Sequence, residues 1–137
     1  MFTKWDGSAV SDYIEENNSK YSLEAYVVIR DSFCHAQINR HNVDPDDFAT
    51  MARLDDEPIS VEDLLHAVKV YSHRMFEYEG PRNWLNGHGV NSSADIGQMA
   101  SDLSKLGYLR LAESDSWEQF ENAFDFDEEF GQLDSQS

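Results

Sequence analysis

The sequence has few of the residues that carry ready-made chemistry. Cys34 is the single cysteine in 137 residues, which leaves no intramolecular disulfide and no multi-thiolate zinc site. Cations are scarce too: ten lysines and arginines stand against 27 aspartates and glutamates, a formal charge of −17. Affinity for nucleic acid comes largely from basic groups that displace counterions, so this balance argues against direct DNA or RNA binding. Anionic membrane surfaces are disfavoured for the same reason. Long apolar runs are missing. The longest uncharged one, Ala25 to Ile29, is far short of the roughly 20 residues of a membrane span. The start, Met1-Phe2-Thr3-Lys4-Trp5-Asp6-Gly7, has no stretch suited to a secretion signal. These absences lead to the expectation of a cytoplasmic protein with no membrane partner.

What remains suffices for a core. Hydrophobic residues make up 40% and aromatics 12%, ordinary values for a globular chain. The expected organisation is one mainly α domain over residues 1–130 and a flexible tail over 131–137. Within it, residues 8–39 form N-terminal helices, 40–59 an acidic loop, and 60–130 a helix followed by a winged-helix-like unit.

Helical periodicity carries this reading. Val10, Tyr13 and Ile14 mark a short helix that Asn17-Asn18-Ser19 ends. Ser22 is placed to cap a second helix with Leu23, Tyr26, Val27, Phe33, Cys34 and Ile38 as its stripe. From His41 to Pro58 the pattern dissolves into acidic, proline-bearing stretches around Phe48 to Leu54, read as a long connection with at most one helical turn. Ser60 with Asp63 resembles a capping box. Val61, Leu64, Leu65, Val68, Tyr71 and Met75 then form one apolar stripe, with Glu62, His66, Lys69, His73 and Glu77 opposite, on the solvated face.

The last third has the order of a winged helix: a short helix from Pro81 to Asn86, a turn at Gly87-His88-Gly89, a helix to Leu106 that Asn91 or Ser92 caps, and two strands. Tyr108-Leu109-Arg110-Leu111 reads as one strand and the alternating Phe124-Asp125-Phe126-Asp127 as the other, giving a short two-stranded β ribbon. A plain helical bundle with a small hairpin is the competing reading. The winged-helix order does not bring DNA binding with it. The candidate recognition helix sets Asp95 and Asp102 against Lys105 alone.

Specific chemistries find little support. His66 and His73 lie two helical turns apart, about 10 Å, too far to chelate one ion. Asp125, Asp127 and Glu129 imitate the opening of an EF-hand loop, but Phe130 stands where glycine is required. Cys34 falls on an apolar stripe, the usual place of a buried thiol, and Gly87-x-Gly89 is too sparse to cradle phosphate. No catalytic residue, metal site or cofactor is expected. The positive feature is Trp117, Phe120, Phe124, Phe126 and Phe130, five large aromatics within fourteen residues, interleaved with acids. Together with Asp125, Asp127, Glu128 and Glu129 they are candidate contacts for a partner with a basic surface. Packing of the same rings into the core is the alternative.

Several segments resemble their counterparts in an uncharacterised family of bacterial conserved hypothetical proteins, of the planctomycete and verrucomicrobial type. They are Tyr21-Ser22-Leu23-Glu24-Ala25-Tyr26, Ser60-Val61-Glu62-Asp63-Leu64-Leu65, the run from Asp95-Ile96-Gly97 to Leu106-Gly107-Tyr108-Leu109, Glu118-x-Phe120, and Phe124-Asp125-Phe126-Asp127-Glu128-Glu129-Phe130. The resemblance spans Tyr21 to Phe130, four-fifths of the 137 residues, and is most specific in the terminal segment. It implies no activity, cofactor or catalytic residue. The connection from His41 to Pro58 is longer and more acidic than that pattern.

The expected function is therefore a non-catalytic interaction or regulatory module that uses an acidic C-terminal surface. An acidic nucleic-acid mimic that occupies a basic groove, and an enzyme of unrecognised type, are the alternatives.

Overall fold

The computed structural model describes residues 6–42, 44, 46, 47, 49, 57–113, 115–121, 123 and 125–130, Asp127 by its backbone alone. Six α-helices follow in order among these residues: α1 (Gly7–Asn17), α2 (Leu23–His41), α3 (Val61–Met75), α4 (Pro81–Gly87), α5 (Ser93–Lys105) and α6 (Phe126–Phe130). A 3-10 turn, Trp117–Phe120, precedes the last.

Local chemistry sets most of the helix ends. The N-terminal N–H groups of a helix have no partner within it, and a short oxygen-bearing side chain supplies one. Ser22 Oγ accepts from Ala25 N–H at 3.1 Å, Ser60 Oγ from Asp63 N–H at 3.1 Å, and Ser92 Oγ from Asp95 N–H at 3.2 Å. Asn18 and Asn42 close α1 and α2 in the left-handed region, at φ 50° and 51°, a conformation asparagine tolerates. Pro81 opens α4, where a missing N–H costs nothing.

The long α2 is the central element and packs against α1, α3 and α5. It is buried nearly all round. Tyr26, Ile29 and Phe33 lie in the core, and Ala25, Val28, Ser32 and Gln37 are buried as well. The single stripe expected from the sequence is therefore too narrow, because neighbours on several sides leave this helix only a narrow exposed edge, at Glu24, His35 and Asn39. On α3 the expected stripe holds through Val68 and then turns: Ser72 is buried, while Met75 is 55% exposed.

The C-terminal half departs from the winged-helix expectation. Among the described residues there is no strand and no two-stranded ribbon. Tyr108 and Leu109 are both buried, so the segment lacks the alternation of a half-buried strand. It makes one parallel bridge instead, between Ile59 and Leu111. Ile59 N–H donates to Arg110 O at 2.9 Å and Ala112 N–H to Ile59 O at 2.8 Å. Arg30, itself buried, donates from Nη1 to Tyr108 O at 2.5 Å and holds this stretch to α2. The other proposed strand is helical from Phe126 onward. Phe126 and Phe130, four apart, fall on one side of α6 and are both buried. The two-residue alternation at Phe124 and Phe126 suggested a strand, and the four-residue spacing to Phe130 is the one the core uses. The architecture is a helical bundle with no wing among the described residues.

Most of the acidic connection, including Phe48 and Met51 to Asp56, lies outside the described residues, as do Phe124 and the tail from Gly131. No described helix is long and apolar enough to cross a membrane.

Candidate functional site

After α5 the chain returns across α3 and builds a groove against it. Asp115 Oδ2 accepts the backbone N–H of Val61 at 2.8 Å. Val61 is the first residue of α3, whose N-terminus carries the positive end of the helix dipole, so a carboxylate is well placed there. The 3-10 turn then sets Phe120 into the core. It lies against Gly97 of α5 so closely that a Cβ at that glycine would stand 2.5 Å from Phe120 Cβ. Ser93 fixes the same crossing, since its Oγ donates to Phe120 O at 2.5 Å and accepts from Ala123 N–H at 3.1 Å. α6 finally docks on α3 and α4. The Arg82 guanidinium sits 5.2 Å from the ring of Phe126, and the His73 ring stacks on Phe130 at 5.9 Å. Lys69 Nζ meets Glu129 Oε2 at 2.5 Å, and His73 Nε2 donates to Glu129 O at 2.7 Å. His73 is exposed and Lys69 partly so, as expected of this face of α3, and from it both side chains reach over to hold α6.

Between α3 and this returning segment lies an open groove of about 650 Å³. Its charged lining is Glu62, Asp63, Asp115 and Glu129 with Lys69 and His66, over Val61, Leu65 and Ala123. Four carboxylates thus face one ammonium. Asp63 also lies 3.7 Å from Arg40, at a weak and exposed geometry. Along the neighbouring edge, Glu113, Glu118, Glu121, Asp125 and Glu128 are exposed. Arg110 lies 3.9 Å from Glu113. Glu118, Glu121 and Glu128 have no ion-pair partner among the described residues.

The residues singled out from the sequence are therefore divided. Phe120, Phe126 and Phe130 are buried and belong to the core. As surface anchors for a partner these three rings are out of reach, because the fold needs them inside. Trp117 is half-buried, with its ring stacked 5.9 Å from that of Phe120. Asp125 and Glu128 are exposed and Glu129 lines the groove. Phe124 and the side chain of Asp127 lie outside the described residues.

A second polar cluster was not anticipated. Asp95 and Asp102, seven apart on α5, are both buried. Tyr13 donates to Asp102 Oδ1 at 2.7 Å, Tyr26 to Asp102 Oδ2 at 2.8 Å, and Gln98 to Oδ1 at 3.1 Å. Tyr21 donates to Asp95 Oδ1 at 2.5 Å, Asn91 N–H to Oδ2 at 2.8 Å, and Lys20 Nζ lies 3.0 Å from Oδ1. Burial alone would raise the pKa of Asp95. The bonds from Tyr21, Asn91 and Lys20 outweigh it and hold the carboxyl below its ordinary value. Burial, reinforced by Asp102, pushes Tyr13 up to about 12, and the phenols of Tyr21 and Tyr26 are raised further. These groups tie α1, α2 and α5 together as neutral donors on acceptor carboxyls. The signal was legible: positions 95, 99, 102, 103 and 106 share one helical face, so the two aspartates lie within the apolar stripe.

Among the described residues no group of three or more histidine, cysteine, aspartate or glutamate side chains is arranged to hold a metal ion. No protein-family model, no curated protein and no solved structure matches this chain.

Proposed function

We propose that this chain is a non-catalytic interaction module, and that the groove between α3 and the C-terminal segment receives a basic stretch of a partner protein. The observation that carries the reading is the groove lining. An open channel of about 650 Å³ presents four carboxylates and one ammonium, next to an edge where Glu118, Glu121 and Glu128 stay exposed. An extended lysine- or arginine-bearing segment would find charge complementarity along it and apolar contact at Val61, Leu65 and Ala123. Recognition rests on the carboxylates that line the groove.

A fluorescent lysine- and arginine-rich peptide tests this by anisotropy titration. Any protein of charge −17 attracts polycations, so site dependence is the discriminating measure. Glu62→Lys and Glu128→Lys are expected to weaken binding at least tenfold, roughly 1.4 kcal/mol or more. Glu16→Lys, an exposed change on α1, is expected to leave it within about twofold, as a remote charge is screened beyond about 10 Å. Equal losses from all three would sink the groove as the site.

A further inference from the structure

The acidic groove has a neighbour across α3. Glu62, Leu65 and Lys69 line the groove from one side of that helix. Asp63, Ala67 and Val70 border a second open hollow, of about 450 Å³, between α3 and the last turns of α2. At about 100° per residue the two sets of three point roughly 130° apart, with position 66 midway. Asp63 and His66 line both hollows and both are exposed, so the two hollows meet over one turn of the helix. Their chemistry differs. Four carboxylates face one ammonium in the groove. Among the described residues the hollow's one carboxylate is Asp63, which has Arg40 at 3.7 Å, while Ala36, Ile59, Ala67 and Val70 give it apolar surface. Val70 is 43% exposed, an apolar side chain with open space beside it.

We propose that this hollow is the second half of the binding site, and that the partner's segment carries a bulky apolar side chain about three residues from its basic stretch. The proposal rests on the groove reading and adds an apolar anchor to it. The spacing follows from the crossing. An α-helix is about 10 Å across with its side chains, and an extended chain covers about 3.3–3.6 Å per residue, so about three residues pass over His66. The carboxylates select the basic half. Another basic residue in the hollow would meet Arg40, and an apolar one loses water against Ala67 and Val70. Apolar burial is not screened by ions, so its share of the affinity survives salt that weakens the basic share.

Anisotropy titrations on the full-length chain compare three labelled peptides: a lysine- and arginine-rich stretch alone, and the same stretch with a leucine at that spacing beyond either end. One flanked peptide is expected to bind about tenfold more tightly than the plain one, as partial burial of a leucine side chain gives. That ratio is expected to hold as salt is raised. Val70→Asn, an uncharged change at an exposed position, is expected to erase the gain and to leave the plain peptide within about twofold. Val70→Thr, of nearly the same shape, replaces it should Val70→Asn lose its helical circular dichroism. Flanked peptides that gain less than about twofold, or a gain that the Val70 variant leaves untouched, overturn the apolar half, while losses from Glu62→Lys and Glu128→Lys still uphold the groove. Plain-peptide binding that those two changes do not weaken is the failure of the groove itself, and the apolar half falls with it.

Discussion

At Gly97 the side chain is absent because another side chain already occupies its space. A methyl group there would meet Phe120 Cβ at 2.5 Å and Cγ at 2.6 Å. Alanine gains about 1 kcal/mol of helix propensity over glycine. Overpacking against an atom next to the backbone costs about 1–3 kcal/mol or more, so Gly97→Ala is expected to destabilise the fold in urea titration. Gly87 is the control, because a Cβ there meets nothing within 4 Å, and Gly87→Ala is expected to be neutral or to stabilise by up to about 1 kcal/mol. The aspartate cluster gives a second pair. Asp102→Ala orphans the donors of Tyr13, Tyr26 and Gln98 and is expected to cost about 3 kcal/mol, whereas Tyr26→Phe removes one donor and costs about 1 kcal/mol. A loss for Asp102→Ala no larger than that for Tyr26→Phe would show that the carboxyl is not the organising group. Asp95 and Asp102 were visible in the sequence as acids near a helix face. Their burial was missed because three tyrosines from elsewhere in the chain, Tyr13, Tyr21 and Tyr26, bring the donors that make it tolerable.

At the scale of elements, the caps carried most of the information. Ser22, Ser60 and Ser92 are each followed by a helix that begins at the next residue, since capping is local chemistry that needs no tertiary partner. Asp115 is the contrasting case. It serves the N-terminus of α3 from 54 residues away, and nothing near Val61 announces it. Asp115→Ala is expected to destabilise by about 1 kcal/mol through the loss of that bond and of the dipole interaction; a thermal melt indistinguishable from wild type would assign the bond no weight. The ribbon was misread for a related reason. Phe124, Phe126 and Phe130 satisfy both a two-residue and a four-residue spacing, and which one wins is decided by Lys69, His73 and Arg82 on distant helices. The acidic groove was legible in its charge but not in its location, which depends on the chain crossing back over α3.

For the whole molecule, titration sets the window of stability. The folded-state pKa of Asp95 lies below the ordinary 3.8, so its contribution is present above that pH and is lost as pH falls further. Tyr13, Tyr21, Tyr26 and Tyr71 all titrate above the ordinary 10.0. Their contribution is present below pH 10 and is lost as pH rises toward 12 and beyond. Thermal melts are expected to be flat near neutrality and to fall on both flanks, with phenolate absorbance rising together with the alkaline loss. A normal phenolate titration near pH 10 for all six tyrosines would contradict the buried network. At neutral pH the charge of −17 destabilises the compact state by self-repulsion. Raising the salt from low to physiological is expected to lift the melting temperature, by about 3 °C for each kcal/mol of repulsion relieved.

The crossing of the C-terminal segment has a consequence for biosynthesis. Phe120, Phe126 and Phe130 complete the core, yet they are translated after every helix they cover. While the ribosome is still extending the chain, the face of α5 around Gly97 and the aromatic seat on α3 and α4 stay uncovered. A nascent chain stalled short of Phe120 would therefore be a better chaperone client than any form of the finished protein.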